Sequence, residues 1–303
     1  MQTENIPKGV AYALATAVVA STAGAASKLI SGDVPVPVIV LAQYFICLVL
    51  MLPWLLKRSV QSLKTDRWGA HLVRGVTGWL CFYAYYQALA YIPLVEATLL
   101  RNTGPLFVPL VVWLWLKFQV PGKAWGPMLL GFAGVLLILK PDFDGISIWH
   151  WVGLTSGLFL AFSMVGTRAL SSTEPSSRIM FHYFLISFVC SLPMAIMYWK
   201  AIPLWTLPYL LYVGGSICIT MWLYTQAYTW ARASVVAPVN YCGVVFAGLL
   251  GWWGWGHIPD TLAFAGMALV ILAGLLSIFI NSQSNRKAEM SASGEQSKQS
   301  ASS

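Results

Sequence analysis

YYQALAYIP, running from Tyr85 to Pro93, returns later in the chain as YTQAYTWAR, from Tyr224 to Arg232. The match sets Gln87 on Gln226, an offset of 139 residues. QYFICLVLMLP from Gln43 pairs in the same way with HYFLISFVCSLP from His182. Gly104 falls on Gly243 and Phe107 on Phe246, and Lys28 falls on Arg168 at an offset of 140. A register held over so much of the chain divides it into two copies of one unit.

Each copy is built of apolar runs. The chain is 58% hydrophobic and 9% charged, with a mean hydropathy of +0.71. A soluble domain carries about 25% charged residues, so this chain lacks the groups to face water on all sides. Runs of about 20 apolar residues are the mark of membrane-spanning helices, whereas a transmembrane barrel alternates in segments of about ten. We therefore expect an all-α integral membrane protein with ten transmembrane helices, at 9–30, 36–56, 69–91, 94–116, 124–140, 148–170, 177–199, 207–229, 234–255 and 261–281. Residues 1–8 form a cytoplasmic N-terminus. Residues 9–140 and 148–281 form the two five-helix repeats, and 282–303 form a Ser-rich, disordered cytoplasmic tail. Five is odd, so the second copy is threaded upside down. Inverted repeats of this kind house a transport site near the bilayer midplane.

Charge fixes the expected orientation. With the N-terminus inside, 13 basic residues fall on the cytoplasmic side and only Lys28, Lys140 and Lys200 outside. This is the positive-inside bias, and it places both termini in the cytoplasm. It also accounts for the formal net charge of +8 without nucleic acid as a partner. The 15 Trp and 13 Tyr suit two membrane–water belts. The five cysteines all lie in apolar runs, none at metal-ligand spacing, and read as free, packed thiols.

With its ten spans, RG at Arg74 and Gly75, QALAYIPLVEATLL from Gln87 and GPLFVPLVVWLWLK from Gly104, the chain resembles the EamA family of the drug/metabolite transporter superfamily. The resemblance runs from about Gly9 to Ile280, and rests on the order and repetition of these stretches. Gln43 and His182 stand where the family pattern often has an arginine. The resemblance implies a small-metabolite transporter of the bacterial inner membrane. Its central cavity would be walled by spans one to four and six to nine.

Arg101 stands out within that frame. It lies about 10 Å below the outer edge of a core about 30 Å thick, where charge is expensive and faces the bundle interior or water. Glu96 is five residues away, about 140° round the helix, which is poor geometry for a pair. A substrate carboxylate or phosphate would satisfy the guanidinium; snorkelling is the competing account. Its repeat partner is Asn240, flanked by Tyr241 as Arg101 is by Asn102. Interhelical hydrogen bonding explains Asn240 equally well. Trp79, Tyr83 and Gln87 share one helix face, and Trp222 precedes Gln226 by four residues. Each set joins an amide to aromatic rings, suited to a planar or cationic ligand or simply to packing. These nine residues are the candidate substrate site. Glu96 and His182 are candidates for proton coupling, and Arg74 is expected to snorkel or to serve the helix start.

An integral-membrane enzyme acting on a lipid or small molecule is the alternative. Against it, the sequence has no HExxH, no GxSxG and no acidic pair within the spans. No GxxxxGK[ST] loop is present, so ATP does not drive the protein directly. A channel would repeat one subunit or filter around a pore, which an inverted repeat does not do. We expect a secondary transporter moving a small organic metabolite with an anionic or zwitterionic group. Its partners are that metabolite and the lipid bilayer, it needs no cofactor or metal, and it acts as a monomer or homodimer.

Overall fold

A computed structural model describes residues 5–57, 63–117, 122, 125–139, 147–171, 173–230, 239, 242–258, 260–276 and 279. Among these residues there are helices and no strands. In lipid every backbone N–H and C=O must be satisfied within the protein, and a helix does this within one segment. The first repeat holds α1 (Ile6–Ile30), α2 (Val36–Leu56), α3 (Trp68–Tyr91), α4 (Leu94–Arg101), α5 (Gly104–Leu116) and α6 (Trp125–Leu139). The second holds α7 (Ile148–Ser171), α8 (Ser176–Met197), α9 (Leu207–Trp230), α10 (Cys242–Trp255) and α11 (Thr261–Leu276). Six segments are long and apolar enough to cross a membrane: Ile6–Ile30, Val36–Leu56, Leu94–Trp115, Ile148–Ser171, Ser176–Met197 and Leu204–Ala227. Cys242–Trp255 and Thr261–Leu276 are shorter apolar helices.

The fourth expected span is broken. Pro105 has no N–H to give to the carbonyl of Arg101, and its ring crowds that carbonyl. The chain therefore ends α4 at Arg101, turns through Asn102 and Thr103, and restarts at Gly104. Thr103 covers the break by donating its hydroxyl to the Leu100 carbonyl at 2.6 Å.

The two copies pack through each other. α1 lies against α9 and α3 against α7; α2 meets α9 while α3 meets α8; α1 meets α10 while α4 and α5 meet α7. Each pairing becomes another in the set when the repeats are exchanged. α2 packs on α8, its own counterpart. There Tyr44 and Tyr183, a repeat pair 139 residues apart, bring their hydroxyls to 3.1 Å. A residue touches its own repeat mate only at the axis that relates the copies. The Asn5 N–H donates to the Trp230 carbonyl at 3.0 Å, so the start of α1 lies at the end of α9 and the pair runs antiparallel.

Small residues set the helix spacing. Ala13, Ala17, Ser21 and Gly24 form the buried stripe of α1, and Ser21 donates to the Gly243 carbonyl at 2.8 Å. Gly157 of α7 is the tightest approach to the α4–α5 break. A Cβ there would sit 2.6 Å from the Leu100 carbonyl and would also strike the Thr103 hydroxyl. Gly157→Val should therefore cost about 1–3 kcal/mol through overpacking. Gly69→Ala, with nothing within 4 Å, should cost far less. Thermal unfolding of the purified variants in detergent checks the difference.

Candidate functional site

The centre of the protein is a column of polar groups along α3. At the end expected from the basic residues to face outward, here called the outer end, Arg101, last residue of α4, places its guanidinium carbon 4.7 Å from the Phe82 ring centre and 5.0 Å from that of Tyr85. It also donates toward the sulfur of Cys81. Its Nε is buried without a partner, and the described residues place no carboxylate in ion-pair range. Ring contacts stabilise a desolvated cation by up to about 2 kcal/mol each. They offset part of the cost of an intramembrane arginine and leave an unused donor. Next to this box, Tyr86 donates its hydroxyl to Gln43 Oε1, and Gln43 Nε2 is buried with no acceptor.

The column continues inward. Tyr44 lies edge-on to Phe82 and to Tyr183. Arg74 stands over the Tyr183 ring at 4.4 Å and donates through Nη1 to the Ser163 hydroxyl at 2.8 Å. Arg74 is only 7% exposed, and its Nε has no partner. The expectation that it snorkels is wrong. Gly75 and Gly78 bring α8 so close to α3, and Gly166 brings α7 so close, that the side chain is enclosed by α7 and by Tyr183.

Trp79, Tyr83 and Gln87 do come together. Gln87 Nε2 donates to the Tyr83 hydroxyl at 3.1 Å, and the Trp79 and Tyr83 rings are 5.9 Å apart. However, they lie roughly 130° round α3 from Phe82 and Tyr85. They share their side of α3 with Leu72, which is 49% exposed. They are not among the rings that touch the Arg101 guanidinium. Trp222 is 56% exposed and meets Tyr12 edge-on at 5.9 Å, and Gln226 is half-buried nearby on α9. Among the described residues no hydrogen bond joins the two glutamines. Asn102 is the half-buried cap of α4. Asn240 and Tyr241 lie outside the described residues.

Each end of the column is closed by a histidine–carboxylate pair between the repeats. At the outer end Glu96 meets His150 Nε2 at 3.0 Å, and Tyr91 stacks on Trp149 at 3.8 Å. Glu96 is thus the half-buried partner of His150. Lys28 donates to the Leu89 and Ile92 carbonyls at 2.6 and 2.7 Å, satisfying the end of α3. At the inner end His71 Nε2 lies 2.8 Å from Glu174 Oε2, and Thr65 donates to Glu174 Oε1. Arg67 reaches the Ala169 carbonyl at 2.8 Å and the Thr173 hydroxyl at 3.1 Å. His182 is buried against His71, ring centres 4.5 Å apart, with Nδ1 at the Arg178 carbonyl. His150, His71 and Glu174 were missed as single polar residues near span ends. Only the packing of α3 on α7 supplies their partners. Among the described residues no cluster of three or more His, Cys, Asp or Glu could hold a metal.

Glu174 sits in the turn between α7 and α8. Burial pushes its carboxyl up, but the bonds from Thr65 and His71 and the charges of His71 and Arg178 outweigh this and hold it below its usual range. The ionised form is the one that accepts these bonds. The stabilisation is therefore full above the ordinary carboxylate pKa of about 4.3 and is lost as pH falls through the depressed value. Wild-type protein should melt above Glu174→Gln at pH 7, and the gap should close below about pH 4. Melting curves of the two proteins across that range test this.

The EamA-like transporter family matches residues 7–140 and again 147–279. The pseudopaline exporter CntI of Pseudomonas aeruginosa (strain UCBPP-PA14) is 32% identical over 209 residues, covering 67% of this chain and 72% of its own. The riboflavin transporter of Vibrio cholerae is 30% identical over 270 residues, covering 86% and 88%. An S-adenosylmethionine uptake transporter of Rickettsia bellii is 22% identical over 237 residues, covering 78% and 81%. A crystal structure at 16% identity superposes with a TM-score of 0.60 over 91% of this chain and 96% of that one, a likeness of fold.

Proposed function

Because the chain belongs to the EamA-like transporter family, we propose that it moves its cargo by alternating access between two inverted five-helix halves and that this cargo carries an anionic or zwitterionic group. It is a multi-pass membrane transporter for a small metabolite and not an enzyme. The relatives named for pseudopaline, riboflavin and S-adenosylmethionine differ in cargo. Kinship therefore gives the class of molecule, and the residues must give its chemistry.

One observation carries the anionic group. The unused polar atoms along the column, Arg101 Nε, Arg74 Nε and Gln43 Nε2, are all donors, and two belong to cations without a carboxylate. A buried donor left unpaired costs about 1–3 kcal/mol, and more when charged. A carboxylate or phosphate entering beside Arg101 would remove that cost, and the planar fork favours bidentate contact. The nearest candidate counter-ion, Glu96, is engaged by His150.

The inverted arrangement is supported by the antiparallel run of α1 and α9 and by the Tyr44–Tyr183 contact between repeat mates. Rocking about that contact would open the outer and inner ends in turn. Ten spans follow if α3, α6, α10 and α11 cross together with the six segments that are both long and apolar enough, the α4–α5 pair counting as one. The basic-residue bias supports cytoplasmic termini, and kinship with the EamA-like transporters supports a bacterial inner membrane. A reporter fused after residue 303 should be active in the cytoplasm; periplasmic activity would overturn the orientation.

Proteoliposome uptake of a metabolite panel that includes riboflavin and S-adenosylmethionine identifies the cargo class. For the transported compound, Arg101→Lys should weaken binding and Arg101→Ala should weaken it by about 10–100-fold, the loss of a charged hydrogen bond. Unchanged affinity in folded Arg101→Ala would remove Arg101 from the site.

A further inference from the structure

We propose that Arg74 is a second anion-binding station, facing the cytoplasmic half of the pathway, and that the His71–Glu174 pair is the latch that closes it. The proposal rests on the reading of Arg101 as the outer station. It assigns an inner one, whose ligand is again a carboxylate or phosphate.

Arg74 lies one turn deeper than His71 on α3. Its enclosure is nearly complete at 7% exposure, yet its partners are all neutral: the Ser163 hydroxyl and carbonyl, and the Tyr183 ring. The Nε donor is unused. A guanidinium held only for packing would be matched by a carboxylate or by carbonyls on all its donors, because an uncompensated buried charge is strongly destabilising. The groups around Arg74 instead resemble those around Arg101: an aromatic face, a weak neutral partner and an idle Nε. Arg101 of α4 lies against Phe82 and Tyr85, which follow Arg74 on α3 by about 12–17 Å of helix rise. Tyr44 and Tyr183 lie between the two guanidinia, where the repeats meet. An anion released from Arg101 as the halves rock would find Arg74 as its next cation.

Between Arg74 and the cytoplasmic end stand His71, Glu174 and Thr65, with His182 against the His71 ring. His71 belongs to the first repeat and Glu174 to the second, so the pair must part before the inner ends of α3 and α7 separate. Arg67 ties the same ends through Ala169 and Thr173. The Glu96–His150 pair does the same at the outer end.

Arginine modification by 4-hydroxyphenylglyoxal tests this on the full chain in lipid nanodiscs, with Arg74 and Arg101 read separately by peptide mass spectrometry. Glu174→Gln should speed modification of Arg74 by about tenfold, the loss of one charged hydrogen bond from the closed state, and leave Arg101 unchanged. Sodium acetate or sodium phosphate should then slow modification of Arg74 in the variant. His71→Gln, which opens the latch from the other partner, should act alike and serves if Glu174→Gln does not fold. An Arg74 rate equal to wild type in both variants overturns the latch. A fast rate indifferent to both anions overturns the station. Protection at Arg101 without protection at Arg74 removes the inner station alone. Protection at neither arginine removes the outer reading as well.

Discussion

Charge inside a bilayer must be answered by another group, and Glu96 and Glu174 answer histidines at the two ends of the bundle and not the arginines within it. Desolvating a cation costs several kcal/mol, and ring faces and neutral hydroxyls return only part of that. Arg101 and Arg74 are thus held in place by tight helix packing while keeping unused donors. The rest of the interior follows from holding them: glycines let α7 and α8 approach α3, and tyrosines line the space between the two guanidinia. The break between α4 and α5 leaves Arg101 at a helix end, where the negative end of the helix dipole favours a cation.

The repeat supplies symmetry of packing without symmetry of chemistry. Helix contacts exchange in pairs, and Tyr44 and Tyr183 meet where a residue faces its own copy. Around that contact the two halves differ. Gln43 accepts from Tyr86, while its counterpart His182 packs on His71 at the Glu174 end of the column. Arg74 and Arg101 both come from the first repeat. The helix packing is shared between the copies, while the polar side chains it encloses are not.

The histidine–carboxylate pairs at opposite ends both draw on α7, through His150 near its start and Glu174 just past its end. One helix of the second half thus engages the first half at both membrane faces.

The sequence alone determined the fold class, the two-copy organisation and the transporter family. Length, hydropathy and a repeat register of 139–140 residues are one-dimensional quantities that lipid enforces strongly. It also marked Arg101, because an arginine in an apolar run is anomalous wherever the run packs. It placed Trp79, Tyr83 and Gln87 on one face of α3; that Phe82 and Tyr85, on another face, hold the Arg101 guanidinium is decided only where α4 packs on α3. It set Arg74 aside as a snorkelling residue, because depth along a helix does not reveal enclosure by neighbours. His71, His150 and Glu174 were single polar residues until α3 and α4 met α7. Whether a polar residue is a partner, a latch or a solvated end depends on what packs against it, and that is decided only in the tertiary structure.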